Sequence, residues 1–406
     1  MRSKSDKKKS LVPRLRFPEF REAGAWEEKK IEDYFSVRSS KRVLQKDWKT
    51  HGVPFYRTRE LVSLYNNEPF SSEIFISEEL FSEIAKKYGF PSEGDFLVSG
   101  VGTLGICYQV KAKDKFYFKD GNVLWYKQNG GIVSSFFYYC FHSDQIQNQI
   151  LGQASISTVG TYTIQNAKVT KFLCPTVEKE QQKIAHCLSS LDEVMGLQAK
   201  KVQALKQHKK GLMQQLFPAE GETTPRLRFP EFREAGAWDK QRIGDLLSLE
   251  YGAPLPEGSR LEGDIPVIGS NGVVGYHSEP LIKGPAIVIG RKGSAGQVSW
   301  IDSPCYPIDT TFFVDLSRKD CQLRFIYLLL EHHRLQELVR EGGVPGLNRD
   351  DVYAVKATIS KHTEQQKIAH CLSSLDEVIG LESDKLDALK NLKKGLMQQL
   401  FPQDVA

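Results

Sequence analysis

Residues 180–218 read EQQKIAHCLSSLDEVMGLQAKKVQALKQHKKGLMQQLFP, and residues 364–402 read EQQKIAHCLSSLDEVIGLESDKLDALKNLKKGLMQQLFP. In the first stretch Ile184, Leu188, Leu191, Met195, Gln198, Val202, Leu205, Lys209, Leu212 and Leu216 step alternately by four and three residues. The second stretch repeats the pattern with Ile368, Leu372, Leu375, Ile379, Glu382, Leu386, Leu389, Lys393, Leu396 and Leu400. That spacing is the seam of a coiled coil, and eight of the ten seam positions are apolar in each copy. Pro218 and Pro402 stop both helices at the same place. A helix of about 37 residues at ~1.5 Å per residue is a rod of about 55 Å.

A single seam on so long a rod needs a partner. The other copy is one solution, and a separate protein is the alternative. The polar seam residues suggest an antiparallel pair in which Gln198 meets Lys393 and Lys209 meets Glu382, since buried polar groups select register. His186–Cys187 and His370–Cys371 lie beside the seam. Adjacent residues on a helix point about 100° apart, so these pairs read as helix flank rather than as a nucleophile and its base.

Outward from the helices, PRLRFPEFREAGAW at 13–26 recurs unchanged at 225–238. The chain is therefore written twice as a constant segment, a variable stretch and a constant helix. The variable stretches, 27–179 and 239–363, differ in length by 28 residues. Units of this size are domains rather than solenoid repeats. The layout expected is a basic disordered tail at 1–12, a first domain at 13–179, a helix at 180–217, a linker at 218–224, a second domain at 225–363 and a second helix at 364–402.

Both variable stretches alternate short apolar runs with Gly, Asn, Asp and Pro turns, which indicates strands and loops. Each carries a helical stretch near its end, at 134–154 and 321–342. GDFLVSGVGTLG (94–105) parallels GPAIVIGRKGSAG (284–296), and VGTYTIQNAKV (159–169) parallels VPGLNRDDVYAV (344–355). One fold with two sets of loops is expected. Gly100, Gly102 and Gly105 match a dinucleotide fingerprint, but the ICYQV that follows reads as a strand, so a strand–glycine turn–strand element is the better reading. The fold class is α+β: two homologous mixed α/β domains joined by two long helices that form an antiparallel coiled coil in a pseudo-twofold arrangement.

Composition sets the function classes. The net charge is +5, whereas residues 1–16 alone hold seven Lys/Arg against Asp6. Such a run is a solvated terminus or a phosphate-seeking arm. The seven cysteines are scattered with no Cys-x-x-Cys pair, which argues against a disulfide framework or a zinc site and for a reducing cytoplasm. No apolar run has the length of a signal peptide or a membrane span. Phosphate-binding G-x-x-x-x-G-K-[ST], metalloprotease H-E-x-x-H and amino-methyltransferase motifs are all absent from the sequence. A self-contained enzyme would need such motifs. A scaffold presenting two domains to proteins or glycans would not, and the salt dependence of DNA binding separates that reading from DNA recognition.

Two divergent domains, each followed by a long helix ending KKGLMQQLFP, resemble the specificity subunits of Type I restriction–modification systems. GVPFYRTREL (52–61), GSNGVVGYH (269–277), IGRKGSAG (289–296) and VPGLNRDD (344–351) look like stretches of their target-recognition domains. The resemblance runs from about Pro13 to Pro402. It implies a non-catalytic, cytoplasmic subunit whose two domains each read one half of a split, asymmetric double-stranded DNA site, with the helices as spacer. It implies two methyltransferase subunits and, through them, restriction subunits as partners, with no membrane. It places S-adenosylmethionine, ATP and Mg on those partners and no cofactor or metal on this chain. Under that reading the candidates for DNA contact are the polar and basic residues of the turns: Arg57, Thr58, Arg59 and Thr103 in the first domain, and Asn271, Arg291, Lys292, Ser294, Thr310, Thr311, Asn348 and Arg349 in the second. Arg and Lys pair with guanine and Asn with adenine in a major groove, but any one of these residues could equally clamp phosphate or shape its turn.

Overall fold

A computed structural model of the chain describes residues 11–66, 68, 70, 73–154, 160–316, 321–339 and 346–402. The lysine-rich run at 1–10 and residues 344–345 of VPGLNRDD lie outside them. The chain divides into two units, 1–197 with 385–406, and 198–384. The division runs through both long helices, Glu178–Leu216 and His362–Leu400, so each unit owns a domain, the start of the helix that follows that domain, and the end of the other helix.

In the first unit Phe35–Arg38, Val123–Gln128, Phe96–Ser99 and Cys107–Gln109 form a four-stranded antiparallel sheet in that spatial order. Val53–Tyr56 lies between Phe75–Ile76 and Tyr117–Phe118 in a second sheet, antiparallel to the former and parallel to the latter. Glu27–Lys30 pairs with Lys171–Cys174 just before the long helix. The second unit repeats this plan. Its four-stranded sheet runs Ser248–Tyr251, Thr311–Asp315, Ala286–Gly290, Val298–Ile301. Its three-stranded sheet has Ile265–Gly269 between Gly272–His277 and Tyr306–Pro307, and Asp239–Arg242 pairs with Lys356–Ile359. Where the second unit closes a two-residue hairpin at Ser270–Asn271, the first inserts the helix Thr58–Asn66, and after its strand Phe75–Ile76 comes a further helix, Glu78–Tyr88; the two helices hold most of its extra length.

The repeated segments touch one another, and this gives them one structural job. In the first unit Arg16 holds Glu180 with two hydrogen bonds of 2.8 Å and donates a third, of 2.6 Å, to the Gly24 carbonyl. Arg228 does the same with Glu364 and Gly236, at 2.7, 2.8 and 2.6 Å. The next helical glutamine caps a domain helix: Gln181 accepts from Val133 N–H and Gln365 from Gln322 N–H. The neighbouring Leu15 and Leu227 N–H groups donate to the end of the other helix, at the Gln399 and Gln215 carbonyls. Trp26 packs edge-on to Phe136 and Phe401 in one unit, and Trp238 packs with Phe325 and Phe217 in the other. Sealed aromatic triads of this kind bury a large apolar area beside the ion pair.

All twenty seam residues are buried or half-buried, as the heptad pattern requires. The second unit shows the helix directions directly. Gln198 Nε2 donates to the Glu382 carbonyl and carboxylate at 2.8 and 2.6 Å, and Lys209 meets Asp376 at 2.7 Å, so the helices run antiparallel. In the first unit Lys393 pairs with Asp192 at 2.6 Å, while Ile184 and Leu188 share a core with Leu396 and Leu400. The direction expected from the sequence holds, but the expected partners do not. Gln198 pairs instead with Glu382, and Lys209 with Asp376. The register is fixed by anchoring Leu216–Phe217 and Leu400–Phe401 in the domain cores, and the lysines then reach acids that flank the seam.

The helical stretches expected at 134–154 and 321–342 are each broken. Ser134–Phe141 and Asp144–Ala154 are separated where the Ser143 hydroxyl donates back to the Cys140 carbonyl. Leu323–His332 ends before Arg334, which adopts a left-handed conformation (φ 46°). Among the described residues no helix is long and apolar enough to cross a membrane, and no cluster of three His, Cys, Asp or Glu could hold a metal ion. Among the described residues no cysteine forms a disulfide.

Candidate nucleic-acid interface

In the second unit four separate turns meet on one rim. They are the Ser270–Asn271 hairpin, the Arg291–Gln297 turn, the Ile308–Thr310 turn and the start of helix Arg349–Ala354. The Thr310 carbonyl is the hub. It accepts from Ser270 Oγ at 2.5 Å and from the Arg291 and Lys292 N–H groups at 2.9 and 3.2 Å. Leu347 N–H donates to the Arg291 carbonyl, and Ser294 Oγ donates to Asn271 Oδ1 at 3.4 Å. Gly290 has no room for a side chain, because a Cβ there would lie 2.2 Å from the Ser294 carbonyl oxygen. Gly293 and Gly296 take positive φ, which lets the backbone turn this tightly.

The side chains on that rim divide by role. Arg291 donates to the Asp309 carbonyl and lies 5.2 Å from the Tyr251 ring, and Arg349 sits 5.4 Å from the same ring. Two guanidinium groups thus share one half-exposed tyrosine, held by attraction to its π-face. Lys292 and Asn271 are exposed, and Ser294 is half-buried between them and the turn. Asn348 is the N-cap of its helix, accepting from Asp350 N–H at 3.0 Å. Thr311 is fully buried and donates to the Ile308 carbonyl at 2.7 Å, so its side chain fastens the turn and does not reach the surface.

The first unit builds the same rim from other residues. Gly100 N–H donates to the Asn122 carbonyl and Tyr162 N–H to the Gly100 carbonyl, the equivalents of the Arg291–Thr310 and Leu347–Arg291 bonds. The glycine fingerprint is the expected strand–turn–strand element, with Thr103 exposed at its tip and its carbonyl accepting from Ser99 Oγ. Thr163 caps the following helix where Asn348 does in the second unit. Strand register makes Thr58 and Arg59 the counterparts of Ser270 and Asn271.

Arg57 and Arg59 are not free cations here. Arg57 holds buried Glu60 at 2.6 Å, and Arg59 reaches Glu60 at 3.1 Å and Glu73 at 2.6 Å. Burial alone would push the Glu60 carboxyl up, but hydrogen bonds from the Arg57 side chain and backbone outweigh it and hold it below its ordinary value. The Thr58 hydroxyl is buried without a hydrogen-bond partner. Sequence reading missed Tyr251, the ring that gathers two of its candidates, because no local pattern links residue 251 to 291 and 349. It also passed over Thr163, whose place before a helix was a legible cap signal.

Comparison with known proteins agrees with this architecture. A family model described as the Type I restriction modification DNA specificity domain matches residues 24–207 and 236–391. A putative type I restriction enzyme specificity subunit of Haemophilus influenzae, S.HindORF215P, is 30% identical over 161 residues, which span 39% of this chain and 38% of that protein. The putative MjaX specificity subunit of Methanocaldococcus jannaschii is 21% identical over 93% of this chain and 92% of its own length. Among solved structures, the S subunit of a Type-I restriction-modification system from M. genitalium superposes with a TM-score of 0.62 at 17% identity, covering 97% of this chain and all of that one. A chain from a study of complex assembly in the type I R-M system superposes with a TM-score of 0.55 at 14% identity, over 94% and 98%.

Proposed function

The chain belongs to the Type I restriction modification DNA specificity family, and from that premise we propose that each of its two domains reads one half of a bipartite, asymmetric double-stranded DNA site. The observation that carries the proposal is the contrast between frame and rim. The two units share sheet topology and an identical helix junction, yet the same four turn positions carry different side chains. Gly100 and Arg291 are one such pair, and Arg59 and Asn271 are another. A duplicated frame with divergent rims is what reading two unlike half-sites requires. The basic and amide side chains of the second rim suit base edges and phosphates.

The antiparallel helices would then set the unspecified gap between the half-sites. Each has 39 residues, about 58 Å of helix. Their repeated outer faces would dock two copies of one methyltransferase subunit, with restriction subunits joining through the assembled complex. Adenine methylation, translocation and cleavage would reside on those partners together with S-adenosylmethionine, ATP and Mg, leaving this chain the recognition step.

The test is genome-wide mapping of adenine methylation in cells that express a cognate methyltransferase subunit, with and without this chain. A split motif present only with the chain is the expected result. Absence of any motif, with the two proteins shown to be bound, would overturn the reading.

A further inference from the structure

The hairpin of the second unit exposes two consecutive valines. Val273 and Val274 are 55% and 44% exposed, although a regular strand would turn one of them inward. The cause is a register shift between Val267 and Ile268: Ile268 opposes Val273, Val267 opposes Gly275, and Val274 is the unpaired extra residue. Arg260 clamps the irregularity. Its Nη1 donates to the Val274 carbonyl at 2.8 Å, and it passes over Gly275, where a Cβ would come within 2.4 Å of that nitrogen. Gly275 has φ +150°. Val274 in turn lies over Gly269, leaving no room there for a side chain. Bulges re-aim side chains and are common beside functional sites.

The valines stand at a defined place on the rim. One glycine separates them from Ser270 and Asn271, which are tied to the Thr310 carbonyl and to Ser294. Exposed apolar branched groups therefore stand on the strand that leaves the hairpin of Asn271, whose amide oxygen accepts from Ser294. In a major groove the one apolar feature on a base edge is the C5 methyl of thymine. Among the described residues the first unit has no counterpart, since its equivalent strand end leads into the Thr58–Asn66 helix and the Arg57/Arg59–Glu60 cluster.

Resting on the DNA-reading role proposed above, we infer that Val273 and Val274 contact a thymine methyl group in the half-site read by the second unit. The bulge is the device that presents them. Asn271 and Ser294 supply the polar contacts beside it, and the two arginines on Tyr251 supply the charge.

The experiment uses the chain assembled with its methyltransferase partner on synthetic duplexes carrying the mapped site. Each thymine, on either strand, is replaced in turn by deoxyuridine, which lacks only the methyl group. One position, or two adjacent positions, in the second unit's half-site should lose about fourfold in methylation rate or affinity, the worth of one buried methyl. V273A/V274A should be insensitive to that replacement and equally active on both duplexes. A half-site without thymine, or one in which no replacement matters while the motif is still methylated specifically, would overturn the inference and leave the DNA-reading role standing. Sensitivity that survives in V273A/V274A would assign the contact to other residues and overturn it as well. Loss of all sequence-specific methylation by the wild-type assembly would instead remove the DNA-reading role itself.

Discussion

Replacing Glu364 by alanine tests whether the repeated segments work as a clamp. Arg228 and Glu364 are 8% and 2% exposed and meet through two bonds of 2.7 and 2.8 Å. The hydrogen bonds Arg228 donates to Glu364 raise its pKa above the ordinary value, and a guanidinium remains charged near neutral pH even without that partner. Deleting one member of a buried pair costs about 3–5 kcal/mol, because the other charge is left desolvated. Glu364 has a weaker safety net than Glu180, which also accepts from Trp26 Nε1, whereas Trp238 Nε1 has no partner. The site of the loss is legible by hydrogen exchange on the full chain. Leu227 N–H donates to the Gln215 carbonyl and Trp238 N–H to the Thr223 carbonyl, and both bonds depend on the segment staying docked. Their protection should fall by roughly two to three and a half powers of ten in E364A, at about 1.4 kcal/mol per power of ten. R228M/E364M, which removes both charges, should recover most of it. A loss of less than tenfold in E364A would show that apolar packing around Trp238 holds the segment and that the ion pair does not.

Phe217→Ala should cost about 3–5 kcal/mol in chemical unfolding of the second unit, since the ring is buried against Trp238 and Phe325; a loss below 1 kcal/mol would mean that the helix end is not anchored there. Burial, with His332 beside it, pushes His333 down to about 4. The unfolded chain therefore takes up the proton first, and stability present above about pH 6.5 drains away as the pH falls toward 4. H333N should have a flatter profile over that window than the wild type, and identical slopes would refute the assignment. Inserting one heptad into both long helices, within 198–202 and 382–386, should lengthen the spacer by about 10 Å and widen the gap in the methylated motif by about three base pairs, with both half-sites unchanged. A changed half-site would contradict the division of labour between helices and domains.

The helices were legible because a coiled-coil seam is a local pattern: spacing alone decides which residues turn away from water, and Pro218 and Pro402 mark the stops. The duplication was legible because it is literal. The glycine turn at 100–105 was equally readable, since the residues after it have strand character and a helix N-terminus would not. Register was not. It depends on where Phe217 and Phe401 find their pockets, so Gln198 settles on Glu382 and Lys209 on Asp376. The candidate residues divide in the same way. Loop position could be inferred for Asn271, Arg291 and Ser294, but burial of Thr311, neutralisation of Arg57 and Arg59 by Glu60 and Glu73, and the gathering of Arg291 and Arg349 on Tyr251 all depend on partners distant in the chain. Periodicity and repetition are written along the backbone, and the sequence determined everything that rests on them: the two long helices, the twofold writing of the chain and the strand character of its domains. Charge pairing, burial and the exposure of Val273 and Val274 are decided between segments that meet only when the chain folds, so tertiary structure alone could set them.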